Sequence, residues 1–507
     1  MKIDLNKITK ELKGRGFFHF IEKIEKAEPK TEVYLVGGAV RDLIMNRQTT
    51  DFDFIIRNVP VKKLENILTK LGKVNFVGKT FGVFKLVLKD NPNGIDIALP
   101  RTDYAFGTGG RKDFKVKYNP KLKIEDDLSR RDFTINAMAL QITNNPTTSN
   151  QFIDPFDGLK DLQKKIIKTV GKPEERFKED YSRMLRAVRI ACELNYKIET
   201  KTWAAIKKYL KHLNDQRNQD RVVPYEVVAK ELLKTFQANP ERAFDLFEES
   251  GLFKVLMPEI EKMKGCPQPP QFHAEGDVFI HTKMTLAGLS SKKFKKEFSD
   301  EQPNINLIMA TLFHDIGKPP TTQTPEKHGV DRIRTNNHDM IGAKMAEKIM
   351  TKLKLSSPAN IGLDLKKVSW LIRNHMVMLQ LKNTLQEVKP STLEKYFFNQ
   401  EMPSQDLLKL IFVDISACRP KETWQPIFKD YFNLKRKLTA LASLSKKKKT
   451  LPPPFLNGHE IMEILKINSS PLIGKIKDTL RTAQLNKKVK DRKEARIFVQ
   501  KNYARRS

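Results

Sequence analysis

The sequence predicts an α+β fold: a small mixed-sheet head domain, then a mainly helical body, a histidine-bearing helical domain and a helical tail. Three observations carry this expectation. Residues 31–58 read as strand, glycine turn, helix and second strand, TEVYLVGGAVRDLIM followed by TTDFDFIIRN. From about Lys160 the apolar period becomes that of helices and stays so. The chain is punctuated at CPQPPQF and at SKKKKTLPPP, and its 507 residues exceed what one hydrophobic core organises.

The elements follow in order. Residues 1–28 read as a short amphipathic helical lead. The head is placed at 29–150, with FGVFKLVL and GIDIALP as further strands. RRDFTINAMAL opens a structured segment after the polar, glycine-bearing YAFGTGGRKDFKVKYNP. A helical domain is placed at 151–265. In it FKEDYSRMLRAVRIACEL carries aliphatic residues at helical spacing and sets Arg183, Arg186 and Arg189 three apart, as a basic stripe. Residues 272–420 form a helical block holding most of the histidines. Residues 421–507 form a basic terminal domain, whose middle should fold on the spacing of Ile461, Ile464 and Leu465.

Composition narrows the function classes. A net charge of +33 recruits polyanions, and the last domain concentrates it, with 22 Lys and Arg against 7 Asp and Glu. No run approaches the ~20 apolar residues that cross a bilayer, so a membrane partner is not expected. The start, MKIDLNKITKELKGRG, is charged throughout and unlike a signal peptide. Three distant cysteines, none in a CxxC pair, speak against a disulfide scaffold or a cysteine zinc site. A cytoplasmic setting is expected.

Four constellations carry chemistry. Asp51 and Asp53 share a strand face, where two carboxylates can hold a divalent ion, and hard oxygen donors suit Mg²⁺. Gly37 and Gly38 precede a helix start and let a phosphate approach the backbone, with Arg41 one turn further in. Asp180 and Arg183, three apart, read as groups on one helix face that together supply the acceptors and donors of a base edge. In the histidine block, His281, His314, Asp315 and Asp414 form a mixed nitrogen and oxygen ligand set.

These residues sit in a recognisable order. LVGGAVRDLIMNRQTTDFDFII, DDLSRRDFTINAMAL, FIDPFDGLKDLQKKIIKTVG and EDYSRMLRAVRIACEL resemble the successive motifs of the class II tRNA nucleotidyltransferase and bacterial poly(A) polymerase family, over roughly residues 29–240. The resemblance implies a nucleotidyltransferase head in which Asp51 and Asp53 hold the catalytic metals and Gly37, Gly38 and Arg41 hold the triphosphate. It implies that Arg131, Asp132 and Asn136 position the nucleotide and its sugar. Asp180 and Arg183 would pair with the base of ATP or CTP, and Arg186 and Arg189 would extend that wall. Tyr181 and Ser182 depart from the Pro-Leu expected between the two specificity residues.

The pattern His281…His314-Asp315…Asp414 resembles the HD superfamily of metal-dependent phosphohydrolases, with His338 and His375 matching its additional histidines and Lys318 placed near a phosphate. A transition ion, Mn²⁺, Co²⁺ or Ni²⁺, suits the imidazoles. A 2′,3′-cyclic phosphate, a phosphomonoester or a nucleotide would be its substrate. FLNGHEIMEILKINSSPLIGKIKDTL resembles the tail of HD-containing members, with Gly474 and Lys475 at a helix start facing RNA phosphate. The implied activity is CCA addition to tRNA from CTP and ATP. Poly(A) polymerase and partial enzymes adding only CC or only A are the alternatives. The stretch between Arg101 and Arg130 resembles the loop associated with full CCA addition.

Overall fold

A computed structural model describes residues 3–77, 83–88, 91–105, 107–110, 114–144, 150–299, 301–381, 388–419, 425–444 and 451–504. Lys421, the expected start of the terminal domain, the lysine run 446–449, and residues 106 and 111–113 of the stretch between Arg101 and Arg130 lie outside these residues. The chain divides into two compact units, Met1–Val255 and Leu256–Ser507.

The first unit is built on a seven-stranded mixed sheet. Its strands are β1 (Glu32–Val36), β2 (Asp53–Arg57), β3 (Lys73–Val77), β4 (Val83–Leu88), β5 (Asn91–Ala98), β8 (Ala139–Ile142) and β9 (Gln151–Ile153), in the order β3-β4-β5-β2-β1-β8-β9. Between β5 and β8 in sequence, β6 (Arg101–Ala105) and β7 (Phe114–Tyr118) pair as a separate hairpin. β1 runs antiparallel to both neighbours, whereas β2 and β5 are parallel, with Asp53 opposite Asp96.

The pleat explains the alternation TTDFDFII. Phe52 and Phe54 turn to one face, where Phe17 and Phe20 meet them edge-on with ring centroids 4.8–5.4 Å apart. The acids alternate with them. Phe17 and Phe20 come from a lead that is two helices rather than one, Leu5–Gly14 and Phe17–Ala27, broken at Gly16 with φ +76°. Each fully buried phenylalanine contributes about 2–3 kcal/mol of transfer free energy. On the other face Tyr34, Val36 and Ile55 pack with Ile124, Leu128, Ala139 and Val170.

The helices of this unit include Pro173–Glu179, Ser182–Leu194, Thr200–Tyr209 and Tyr225–Ala238. Ser182–Leu194 buries its aliphatic side and ends at Asn195 in the left-handed region.

The second unit gathers the helices Val278–Gly288, Ile305–Phe313, His338–Lys352, Leu365–Asn374 and Ser404–Ala417. CPQPPQF lies within it, with the Lys318 ammonium donating to Gln268 Oε1 at 2.8 Å. Towards the C-terminus, Gly458–Leu465, Pro471–Leu485 and Arg492–Tyr503 close a small core around Ile461, Ile476, Leu480 and Val499. Asn457 and Glu460 form a reciprocal capping box at its entry. Arg481 fastens it to Glu394 on the preceding helix Pro390–Phe397. Among the described residues no helix is long and apolar enough to cross a membrane.

Candidate active site and metal centre

In the first unit, Asp53 opens β2, but Asp51 lies just ahead of that strand and is exposed. The expectation that both acids sit within one strand is therefore corrected. β2 begins only where pairing with Val36 and Asp96 begins. Burial pushes the Asp53 carboxyl up to about 6; Arg131 opposes this, and Asp51 and Asp96 add to it. Three carboxylates at one strand edge thus repel one another, a donor set of oxygen atoms that a divalent cation would relieve. Asp96 is a candidate that motif reading missed. Its signal is the lone acid of GIDIALP, but the parallel register that sets it beside Asp53 is tertiary.

Gly37 has φ +77°, and a Cβ there would stand 2.8 Å from Arg131 Nη1 and 3.6 Å from Asp53 Oδ2. Gly37, Asp53 and Arg131 therefore meet at one point. Gly38 begins the helix Gly38–Ile44, and Arg41 is buried within it. Arg41 Nη1 donates to Asn136 Oδ1 at 2.8 Å, and its other nitrogens to Asp42. Asn136 also approaches Asp132, with Nδ2 3.4 Å from Oδ1, and Arg186 Nε donates to Asp132 Oδ2 at 2.7 Å. Arg41, Asn136, Asp132 and Arg186 thus make one polar row. Burial would raise the Asp132 carboxyl, but Arg186 and Arg183 hold it down at about 2.

The base-edge pair is arranged differently from expectation. Asp180 is not on the helix with Arg183. It is extended, with φ −152° and ψ 105°, and its Oδ1 accepts from Ser182 N at 2.8 Å at the helix start. Arg183 pairs with Glu179 and donates to the carbonyl of Arg176, so no Asp180–Arg183 ion pair forms. Nor is the arginine stripe a free basic surface. Arg186 faces Asp132, and Arg189 is held by Glu231 at 2.6 Å and Glu193 at 2.7 Å. Arg189 fastens its helix to Tyr225–Ala238.

In the second unit five helices converge on Asp315. His314 caps the C-terminal end of Ile305–Phe313 and Asp315 lies in the following turn, so the two neighbours are not on a helix side as expected. The turn is pressed on another backbone: a Cβ at Gly317 would lie 2.1 Å from His338 O and 2.6 Å from Gly342 N. His281 Nε2 lies 2.9 Å from Asp414 Oδ1, His314 Nε2 3.3 Å from Asp315 Oδ2, and His338 and His375 Nε2 3.5 and 3.8 Å from Asp315 Oδ1.

Each imidazole is oriented through its other nitrogen. Nδ1 of His314, His338 and His375 donates to the carbonyls of Thr311, Thr335 and Ile372, at 2.6–2.9 Å. Nδ1 of His281 lies 2.8 Å from Glu275 Oε1. All four rings therefore aim Nε2 inward, the presentation that a metal site requires. His314 Nε2 has no hydrogen-bond partner among the described residues. Burial, then His338 and His314, push the His375 imidazole down to about 4 and keep it neutral, as a ligand must be. Three overlapping groups could hold a metal ion: His281, His314 and Asp315; Asp315, His338 and His375; and His273, Glu275, His281 and Cys418.

Other expectations are revised here. Lys318 is turned inward to Asp315 Oδ2 at 2.7 Å and to Gln268, rather than held open for a phosphate. His273 shares Glu275 with His281, at 2.7 Å, and His328 is an exposed helix-end residue whose Nδ1 accepts from Thr324 N. Glu275 is a residue the motifs did not single out. Its other oxygen accepts from Arg419 N at 2.7 Å.

The comparisons with known proteins bear on both regions. Residues 33–168 match the poly A polymerase head domain, 195–264 the probable RNA and SrmB-binding site of polymerase A, and 278–415 the HD domain. The A-adding tRNA nucleotidyltransferase of Deinococcus radiodurans is 29% identical over 476 residues, covering 92% of this chain and 94% of that one. Among solved structures, the Bacillus stearothermophilus CCA-adding enzyme in complex with CTP superposes with TM-score 0.57 at 20% identity, covering 96% of each chain. The Thermotoga maritima CCA-adding enzyme complexed with tRNA does so with TM-score 0.59 at 20% identity, covering 99% of each. At that identity the structures speak for a shared fold.

Proposed function

The chain belongs to the tRNA nucleotidyltransferase and poly(A) polymerase family and carries an HD domain, and from that premise we propose that it adds CCA to tRNA 3′ ends, using CTP and ATP and releasing pyrophosphate. The observation that carries this reading is the meeting of Gly37, Asp53 and Arg131 beside Asp51 and Asp96. Bound divalent ions, Mg²⁺ in this reading, would activate the RNA 3′ hydroxyl and neutralise the departing pyrophosphate. Asp51 and Asp53 would hold them, with Asp96 as a third carboxylate. Gly37, with a positive φ and no side chain between it and Arg131, would let a triphosphate approach the backbone at the start of the helix Gly38–Ile44, where Arg131 would add its charge. The row Arg41–Asn136–Asp132–Arg186 would fix the sugar side of the nucleotide, its charges already balanced so that little reorganises on binding.

Asp180 and Arg183 would present the base-reading edge. Arg183→Ala is expected to lower incorporation of CTP and ATP by about tenfold to a hundredfold and to narrow the gap over UTP and GTP, as loss of a bidentate base contact does. Single-nucleotide incorporation with each of the four triphosphates measures this; an unaltered four-way profile would remove Arg183 from the role.

Addition of the terminal A alone is a second reading, favoured by the name and near full-length match of the Deinococcus relative. Supplying CTP and ATP separately to tRNAs truncated at successive positions separates the two. The terminal segment 421–507, of net charge +15, would bind the tRNA body. Removing residues 446–507 is expected to weaken tRNA binding by at least about tenfold, to flatten its salt dependence and to leave nucleotide affinity intact. Equal salt slopes for the two folded proteins would refute this. The HD centre, loaded with Mn²⁺, Co²⁺ or Ni²⁺, would hydrolyse a phosphoester as an accessory activity.

A further inference from the structure

Tyr181 stands where the motif resemblance led one to expect proline, between the two residues proposed to read the base. Its surroundings give it a specific task. The backbone N–H of Tyr181 donates to Gly109 O at 3.0 Å. Its ring lies directly against Gly109: a Cβ at Gly109 would fall 2.0 Å from Tyr181 Cε2 and 2.2 Å from Cδ2, and Gly109 has φ +77°. The ring also stacks on His212, with centroids 5.0 Å apart and planes 11° from parallel. His212 is fixed in turn, its Nδ1 2.7 Å from Asp215 Oδ2.

Gly109 belongs to the connection between β6 and β7, and that hairpin is anchored at its other end. Arg101 N donates to Asp127 Oδ1 at 3.1 Å, and Asn119 N to Pro100 O at 2.9 Å. Asp127 is fully buried and also holds Arg130, at 2.8 Å, and Arg131, at 3.5 Å. The hairpin therefore runs from the arginine beside Asp53 to the turn Asp180–Arg183. On the Asp180 side, Ser182 N, Arg183 N and Met184 N all close on Asp180 or Tyr181, so a shift of Tyr181 displaces both base-reading residues.

We propose that Tyr181 is a specificity-determining positioning residue: clamped between the Gly109 backbone and His212, it ties the β6–β7 hairpin to the turn carrying Asp180 and Arg183 and thereby sets which base is accepted. The proposal rests on the nucleotidyltransferase reading and adds to it a residue that touches neither metal nor triphosphate. Tyr181 acts through the register of its neighbours, so its loss changes nucleotide choice more than it changes tRNA affinity.

The test is single-nucleotide incorporation on truncated tRNA with CTP, ATP, UTP and GTP, comparing the full-length protein with Tyr181→Ala, Tyr181→Phe and Gly109→Ala. Tyr181→Ala is expected to reduce the preference for the accepted nucleotides by about tenfold, with the loss mostly in kcat. Tyr181→Phe keeps the stack and the backbone bond and should retain wild-type preference within about twofold. Gly109→Ala places a methyl group in the space of the ring and should reproduce Tyr181→Ala, which decides the matter if the alanine variant does not fold. Unchanged selectivity in Gly109→Ala, or a phenylalanine variant as impaired as alanine, would overturn the proposal. A wild-type protein that incorporates none of the four would instead overturn the nucleotidyltransferase reading.

Discussion

Replacing Asp53 with alanine is expected to reduce nucleotide addition on the order of a thousandfold or more, the scale on which losing a transition-state electrostatic partner acts. Asp51→Ala should do the same, and tRNA binding should survive in both, because the segment proposed to bind the tRNA body, 421–507, lies elsewhere in the chain. Stability supplies an independent check. The folded Asp53 carboxyl titrates at about 6, above the value near 3.9 of a free aspartate. A carboxyl raised in this way favours folding of its protonated form. Its contribution is most favourable below pH about 4, and that benefit is lost as pH rises through about 6. Asp53→Asn should therefore raise the metal-free melting temperature at pH 7.5 relative to wild type while abolishing activity. Mg²⁺ should stabilise the wild type and not the variant. Two variants with near-normal incorporation would remove these acids from catalysis.

The double change His314→Ala with Asp315→Ala is expected to abolish transition-metal binding in the second unit. Asp315 belongs to two of the three groups that could hold an ion, and His314 to one of those two, so the double change removes a donor from each of the two. Elemental analysis of wild-type and doubly changed proteins measures the effect, alongside hydrolysis of 2′,3′-cyclic AMP and a phosphomonoester with Mn²⁺, Co²⁺ or Ni²⁺. Wild type should bind metal and show metal-stimulated hydrolysis, falling at least about a hundredfold in the variant. Nucleotide addition should persist, since Asp51 and Asp53 are untouched. A wild type that binds no transition metal and hydrolyses neither substrate would leave the block as a helical scaffold. Glu275→Gln is informative beside it, because a carboxylate behind a ligating imidazole tunes metal affinity, by about tenfold to a hundredfold in established sites.

The parts legible in sequence were those written by local period. GGAVRDLIM is strand end, glycine turn and helix, and the structure places Gly37 at a positive φ where a side chain would strike Arg131. Phe52 and Phe54 alternate with the acids because one sheet face packs against the aromatic residues of the N-terminal helices. His281, His314, His338 and His375 converge, as their ligand chemistry suggested, though the convergence uses a turn and not a helix side.

What escaped the sequence was set by partners far away in the chain. Asp96 joins Asp53 only through strand register. The arginine stripe looked basic because Asp132 and Glu231, which neutralise Arg186 and Arg189, are 54 and 42 residues distant. Asp180 leaves the helix because its carboxylate caps the next one through Ser182 N, and an i,i+3 spacing is silent about which side of a helix start a residue occupies. Glu275 escaped only in part for that reason: the imidazoles of His273 and His281 that meet it are near in sequence, but the backbone N–H of Arg419 that closes on its other oxygen is 144 residues away.

The most direct measurement is nucleotide addition by the purified full-length protein on tRNA lacking its whole CCA end, lacking its last two nucleotides, or lacking only the terminal adenosine. CTP and ATP are supplied singly and together with Mg²⁺. CTP alone is expected to extend the first two substrates up to the CC end and no further. ATP alone should extend only the third, by a single nucleotide, and the mixture should bring all three to a complete CCA end. Extension of the third substrate alone would leave an A-adding enzyme and contradict full CCA addition; failure to extend any of the three would contradict the assignment of Asp51, Asp53 and their neighbours as a nucleotidyltransferase site.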